Sequence, residues 1–235
     1  MLGDSHFRLV GVVTQPDRPA GRQMKLQASP VKQAAEAHGV PVWTPESAKS
    51  PEFLQELKSL QAELAVVVAY GQILSRRFLD IFPQRVVNIH ASLLPRWRGA
   101  APIQRSLMAG ESETGVTLQV MKPKLDAGDI IGQRKLEVRP EWSALDVLEA
   151  MKPLASDLLS KELRDYHLGH LRATPQDESF VTFAAKIEKS EAWVDWSWSA
   201  QKIWFRSRGL AMGPGVCTQR SGRLLKLRQV WPLDH

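Results

Sequence analysis

The sequence has almost no cysteine and no long apolar run. Cys217 is the only cysteine among 235 residues, so no disulfide can form within the chain. A lone free thiol is typical of a reducing compartment, and we expect a cytoplasmic protein. No apolar segment reaches the roughly 20 residues that span a bilayer, and residues 1–6 lack the basic flank and apolar core of a signal peptide. The sequence therefore predicts no membrane contact.

The charge balance is basic. Lysine and arginine number 31 against 25 acidic residues, a net charge of +6. Such a surface favours phosphate-rich partners such as nucleic acid, although many basic proteins bind none. Cysteine, histidine and carboxylate side chains are not clustered at the spacing of metal ligands, so we expect no metal.

Strand and helix patterns alternate along most of the chain. Residues 64–69 form an apolar, β-branched run typical of a central parallel strand, and residues 85–90 form the next strand. Ser29-Pro30 and Ser50-Pro51 each place a serine N-cap before a proline at the first helical position. This alternation predicts an α/β fold: a Rossmann-like, mostly parallel sheet with helices on both faces.

The pattern changes near residue 187. Before it, residues 114–121 and 130–138 indicate two strands around a loop, and residues 143–168 indicate one long helix. After it, a helix over 199–208 precedes two strands around Ser221-Gly222, a hairpin turn. We therefore predict two domains, over residues 1–186 and 187–235.

Asn88 and His90 end a predicted strand. Side chains alternate across a strand, so both lie on one face. An amide can donate to a developing oxyanion, and a histidine can exchange a proton near neutral pH. A carboxylate, Asp126 or Asp129, could orient the imidazole. Spacing alone favours a structural strand and a turn around Gly128 instead.

Longer segments decide between these interpretations. Residues 88–103 (NIHASLLPRWRGAAPI), followed by residues 125–129 (LDAGD), resemble the signature of folate-dependent formyltransferases. The resemblance covers nearly the whole chain and is weakest after about residue 208. It is greatest to the members that act on initiator methionyl-tRNA. Further similar segments are residues 14–22, 28–32, 69–71, 186–191 and 195–197.

The resemblance implies a reaction and its residues. The donor would be 10-formyltetrahydrofolate, and the acceptor the α-amino group of methionine on initiator methionyl-tRNA, in support of translation initiation. Asn88, His90 and Asp126 would be catalytic, and only the resemblance selects Asp126 over Asp129. The residues expected to line the folate pocket are Ser92, Leu93, Leu94 and Pro95; for Leu93 and Leu94 the alternative is a place in the core.

The resemblance also implies a site for tRNA. Residues 15–26 match an insertion that enters the acceptor region, so Arg18, Arg22 and Lys25 are predicted to contact tRNA; a solvated basic loop is the alternative. Residues 187–235 would be a linker and part of a small β-barrel that helps to hold tRNA. We expect a monomer whose partners are folate and initiator methionyl-tRNA.

The sequence departs from the family pattern in two ways. No strand, Gly-Thr-Pro turn and helix precede Phe7, and the chain looks truncated at both ends. A missing central strand would leave a gap in the sheet with unpaired backbone groups, so we expect poor folding or reduced activity. Residues 22–25 read Arg-Gln-Met-Lys where a glycine and a second lysine are common, which would weaken tRNA binding.

Two other functions remain open at this point. A sibling formyltransferase acting on glycinamide ribonucleotide or an amino sugar nucleotide would share the three catalytic residues but not the 15–26 loop. A non-catalytic RNA-binding remnant would keep the basic loop and ignore folate. A dinucleotide-dependent oxidoreductase is disfavoured, because no Gly-x-Gly-x-x-Gly follows an early strand.

Overall fold

The fold is built on a four-stranded sheet with helices packed against it. The computed structural model describes residues 6–20 and 25–233. Its first elements are β1 (Val12–Val13), β2 (Arg18–Ala20), β3 (Lys25–Gln27), α1 (Pro30–Ala37), β4 (Val42–Trp43), α2 (Pro51–Ser59), β5 (Ala65–Val68), α3 (Arg76–Leu79) and β6 (Val86–His90). Next come β7 (Arg98–Gly99), α4 (Pro102–Met108), β8 (Glu113–Val120), β9 (Ile130–Glu137), α5 (Ala144–His167), β10 (Phe183–Ala184), α6 (Ala200–Gly209), β11 (Val216–Arg220) and β12 (Arg223–Leu227).

The main sheet has the strand order β5-β6-β8-β9. β5 and β6 are parallel, whereas β6–β8 and β8–β9 are antiparallel. The α/β class is confirmed, but this sheet is mixed where a mostly parallel one was predicted. One reason is that the loop over residues 121–129 is too short for a crossover, so β9 must return antiparallel to β8.

Serine N-caps begin several helices, as the sequence predicts. The Ser29 hydroxyl accepts from the backbone N–H of Lys32, and the Ser50 hydroxyl accepts from that of Phe53. In both helices proline follows the cap, where its missing N–H costs no hydrogen bond. α5 runs unbroken for 24 residues with Pro153 inside it. Its apolar face packs against the sheet through buried side chains at Val147, Met151, Leu158 and Leu163.

A cavity of about 760 Å³ separates β1 from β5. The N–H groups of Val12 and Thr14 donate toward β4, and that of Ala65 donates toward β6. Because backbone groups alternate in direction along a strand, the N–H groups of Val13 and Val66 are directed toward the cavity. Among the described residues no strand lies between these two edges. Over the described residues a gap therefore lies between β1 and β5.

The last part of the chain contains α6 and an antiparallel hairpin of β11 and β12. Ser221 and Gly222 have φ of 49° and 74°, which is the backbone of a tight hairpin turn, so the predicted turn is confirmed. In the part of the chain that the structure describes, these strands do not close into a barrel. A search of the same residues finds no helix with the length and apolarity to cross a membrane.

Arg105, a residue of α4, binds this last part of the chain. Its guanidinium donates to both carboxylate oxygens of Glu191, at 2.7 and 2.8 Å, and to the carbonyls of Ala185 and Lys186. The Arg105 hydrogen bonds are the largest cause of a pKa of Glu191 that is lowered from 4.5 to about 2. This paired carboxylate therefore stabilises the folded state only while it is ionised.

We expect the Glu191→Gln variant to be less stable than the wild type by about 1–2 kcal/mol at pH 7. A lowered folded-state pKa gives stability that is complete above about pH 4.5 and is lost as the pH falls toward about 2. The difference in thermal midpoint between the two proteins should therefore shrink over that window. Glu56→Gln, on the exposed face of α2, is the matched control. A difference in thermal midpoint between wild type and Glu191→Gln that stays constant with pH would contradict the prediction.

Candidate active site

Asn88 and His90 lie on one face at the end of β6, as predicted. Asn88 is opposite Gln119 of β8, and His90 is opposite Thr117. Directly opposed side chains of an antiparallel pair share a face, so four polar residues gather there. His90 is only 6% exposed, whereas Asn88 is half-buried. The end of β6 is therefore a polar patch beside the apolar core of the sheet.

One nitrogen of the His90 ring has a fixed partner. Nε2 donates to the carbonyl oxygen of Trp97 at 2.8 Å. A carbonyl oxygen can only accept, so this bond keeps a proton on Nε2. Nδ1 lies 3.7 Å from Oδ1 of Asp126. Nδ1 is thus the ring atom that can gain or release a proton beside a carboxylate.

Two donors hold the Asp126 carboxylate in place. Oδ2 accepts from the backbone N–H of Gly99 at 3.0 Å, and Oδ1 accepts from Nε2 of Gln119 at 2.9 Å. Asp129 instead pairs with Lys122 at 2.7 Å. The structure therefore brings Asp126, and not Asp129, to the histidine. Spacing alone could not make that choice.

Gly128 gives the loop over residues 121–129 its shape. A Cβ at this position would lie 1.5 Å from the carbonyl oxygen of Val120, so any larger residue would push the loop away from β8. Asp126, two residues earlier, has φ of 45°, a left-handed conformation that is costly for residues with a side chain. The loop is a turn, and this turn also places the Asp126 carboxylate next to His90.

Sequence reasoning missed Thr117 and Gln119. Both are buried, at 0% and 2% exposure; the Thr117 hydroxyl donates to the carbonyl of Ser92 at 2.6 Å. A signal was present in β8, where these two polar residues alternate with Val116, Leu118 and Val120. An alternating polar face inside an apolar strand marks side chains with buried partners.

The predicted folate segment follows β6 directly. The Ser92 hydroxyl donates to the carbonyl of Arg96 at 2.7 Å, and Leu94 is buried, its carbonyl accepting from Gln133 at 2.9 Å. Leu93 and Pro95 are half-buried. Leu93 also lines a cavity of about 340 Å³. The accessible part of the segment is therefore Leu93 and Pro95.

The basic loop is a short hairpin of β2 and β3. Arg18 makes an exposed ion pair with Glu46 at 3.0 Å, and Lys25 is exposed. Arg22 lies outside the described residues. No hydrogen bond or ion pair joins the described part of the hairpin to Asn88, His90 or Asp126. Arg18 and Lys25 are therefore not bonded to the polar patch.

Over residues 6–20 and 25–233, no group of three or more histidine, cysteine, aspartate or glutamate side chains is arranged to hold a metal ion.

Comparison with known families matches two regions of the chain. Residues 2–163 match the family "Formyl transferase", and residues 186–235 match "Formyl transferase, C-terminal domain". The chain belongs to the formyl transferase family. The Rossmann-like α/β fold around the polar patch is accordingly that of a formyl transferase.

Relatives within the formyl transferase family include two named methionyl-tRNA formyltransferase. That of Bdellovibrio bacteriovorus is 55% identical over 230 residues, covering 97% of this chain and 72% of the relative. That of Symbiobacterium thermophilum is 43% identical, and the match covers 96% of this chain and 69% of the relative. An N-formyltransferase from Helicobacter canadensis was solved with folinic acid and dTDP-3-aminofucose. It superposes with a TM-score of 0.67 at 17% identity, and the match covers 88% of this chain and 73% of that chain. At that identity the likeness shows the fold alone.

We expect Gly128→Ala to lower the free energy of unfolding by about 1–3 kcal/mol, because the added methyl group overlaps Val120. The loop must then move, so the ring resonances of His90 in an NMR spectrum should shift. Gly169→Ala is a matched control: it strains a left-handed backbone at φ 78° but meets no atom within 4 Å. Unchanged His90 resonances together with unchanged stability in Gly128→Ala would refute the assigned contact.

Proposed function

We propose that the chain transfers a formyl group from 10-formyltetrahydrofolate to the α-amino group of methionine on initiator methionyl-tRNA. The observation that carries this proposal is the identity of 55% and 43%, over nearly the whole chain, to relatives named methionyl-tRNA formyltransferase. A sugar N-formyltransferase and a phosphoribosylglycinamide formyltransferase match only as folds, at 20% and 23% identity. That contrast favours tRNA over the acceptors of the sibling enzymes.

The polar patch is suited to this acyl transfer. The neutral amine attacks the formyl carbon, a C–N bond forms, and the carbonyl oxygen becomes an oxyanion. Asn88, whose side chain is half-buried at the end of β6, donates a hydrogen bond to that oxyanion. The bond from the formyl carbon to the folate nitrogen then breaks.

His90 and Asp126 move the proton that this exchange requires. The attacking amine loses a proton, and the leaving folate nitrogen gains one. Among the described residues no hydrogen bond is made by Nδ1 of His90, and the Asp126 carboxylate faces it at 3.7 Å, so this nitrogen is the one placed to exchange the proton. The carboxylate stays in position because Gly99 and Gln119 hold it.

Other parts of the chain supply the two substrates. Leu93 and Pro95 contact the folate. Ser92 and Leu94 hold the backbone of this segment in place. A folate-type donor is supported by the folinic acid bound to the Helicobacter canadensis relative. Arg18, Arg22 and Lys25 contact the tRNA. Residues 1–186 form the catalytic domain, and residues 187–235 form a linker and part of a β-barrel that holds tRNA.

The test is a comparison of three acceptors with labelled 10-formyltetrahydrofolate: initiator methionyl-tRNA, glycinamide ribonucleotide and an amino sugar nucleotide. We expect product with the tRNA alone. His90→Ala, Asn88→Ala and Asp126→Asn should each lower kcat by about 100-fold or more. Asp129→Asn, which removes a neighbouring charge that does not face His90, is the matched control. Equal rates for wild type and His90→Ala would eliminate the catalytic proposal.

A second prediction concerns the basic hairpin. If Lys25 neutralises a phosphate, Lys25→Ala should weaken tRNA binding and reduce the slope of log Kd against log salt by about 1. Lys58→Ala, an exposed lysine on α2, should leave the slope unchanged. Filter binding at several salt concentrations gives both slopes. The same slope for Lys25→Ala and wild type would rule out this contact.

A further inference from the structure

A stretch of chain between the two matched family regions returns to the candidate site. Residues 164–185 lie in neither region. Within them, residues 174–184, here called the strap, run beside β7 and the loop over residues 121–129. Thr174 bridges to Ile130, the carbonyl of Thr182 accepts from the N–H of Arg98 at 2.9 Å, and β10 pairs with β7. The strap is therefore part of the wall around Asp126.

Gln176 is the strap residue that contacts the loop of Asp126. Its Nε2 donates to the carbonyl oxygens of Asp126 at 2.8 Å and of Gly128 at 2.7 Å. A carboxamide NH2 group has two hydrogens to donate, and both are used here. The two bonds tie together the carbonyls on either side of Ala127. They fasten the left-handed backbone of Asp126, which is costly without such support.

Arg98 fixes the orientation of this amide. Its side chain is completely buried, and it donates to Oε1 of Gln176 from Nε at 3.0 Å and from Nη2 at 2.7 Å. Rotating the amide by half a turn would place NH2 against the guanidinium, so only one orientation is stable. Glu178 supplies the opposite charge at 2.8 Å. The strap therefore provides two residues: Gln176, which holds the loop of Asp126, and Glu178, which is the counter-ion of Arg98.

We propose that Gln176 is a positioning residue for formyl transfer: by fastening the main chain of Asp126 and Gly128, it keeps the Asp126 carboxylate beside Nδ1 of His90. Gln176 touches no reacting atom in this proposal and acts only through Asp126. The inference rests on the proposed function for its kinetic consequence. Its structural part, the clamp on the loop, is independent of that function.

A purely structural role has a different signature. If Gln176 served only as a partner for the buried Arg98, a glutamate would serve as well, because it keeps the acceptor oxygen and adds a compensating charge. A glutamate carboxylate, however, has no hydrogen to donate to the carbonyls of Asp126 and Gly128. Gln176→Glu therefore separates the clamp from the support of Arg98.

The experiment compares wild type, Gln176→Glu, Gln176→Met and the control Ser179→Ala, a strap residue whose hydroxyl donates to Asp177 and to no other described residue. Formyl transfer to initiator methionyl-tRNA gives kcat and KM, and hydrogen exchange gives the protection of residues 122–130. For Gln176→Glu we expect kcat to fall about 10- to 100-fold. The KM for each substrate should stay within about twofold of its wild-type value. Exchange should rise at residues 122–130 and stay at the wild-type rate in the rest of the protein, and the thermal midpoint should fall no further than the loss of two hydrogen bonds explains. Ser179→Ala should match wild type in all four measurements.

Each outcome decides the proposal. Wild-type kcat in Gln176→Glu, or unchanged exchange at residues 122–130, overturns it. A fall in kcat that tracks a lower thermal midpoint and faster exchange throughout the protein also overturns it, since that result indicates a general loss of structure. If wild type itself transfers no formyl group, the proposed function fails, and the exchange of residues 122–130 still decides whether Gln176 clamps the loop.

Discussion

The contact between Gly128 and the carbonyl of Val120 is the constraint on which the candidate site depends. The absence of a side chain at residue 128 lets the loop after β8 lie directly against that strand. The same approach forces Asp126 into a left-handed backbone and turns its carboxylate inward, where Gly99 and Gln119 donate to it. That approach, together with the hydrogen bonds from Gly99 and Gln119, sets the distance of 3.7 Å between Oδ1 of Asp126 and Nδ1 of His90.

Local patterns predicted local structure well. Ser29 and Ser50 marked the helix starts, since an N-cap depends on residues only three positions apart. Strand alternation placed Asn88 and His90 on one face. The mixed strand directions were not predicted, because the apolar residues of β5 and β8 indicate burial and not strand direction. The selection of Asp126 over Asp129 depends on Gly99 and Gln119, contacts that no local pattern contains.

Gln176 shows why the rest of the site could not be predicted. It lies 50 residues after Asp126, in a polar stretch without helical or strand periodicity. Its importance comes from Arg98, a charge that β7 places in a fully buried position. An N-formyltransferase of 17% identity, solved with dTDP-3-aminofucose, shares this fold, so the fold by itself does not identify the acceptor.

The gap between β1 and β5 has a mechanical consequence. Strands that share a ladder move as one body, because shifting either strand breaks a row of hydrogen bonds. Over the described residues, β1 and β4 share no ladder with the main sheet, and side chains such as Val13, Trp43 and Phe53 link the two through apolar packing. Non-directional packing tolerates small displacements better than a hydrogen-bond ladder does. A small displacement of β1 and β4 against the main sheet therefore costs less than a displacement between two strands of one ladder.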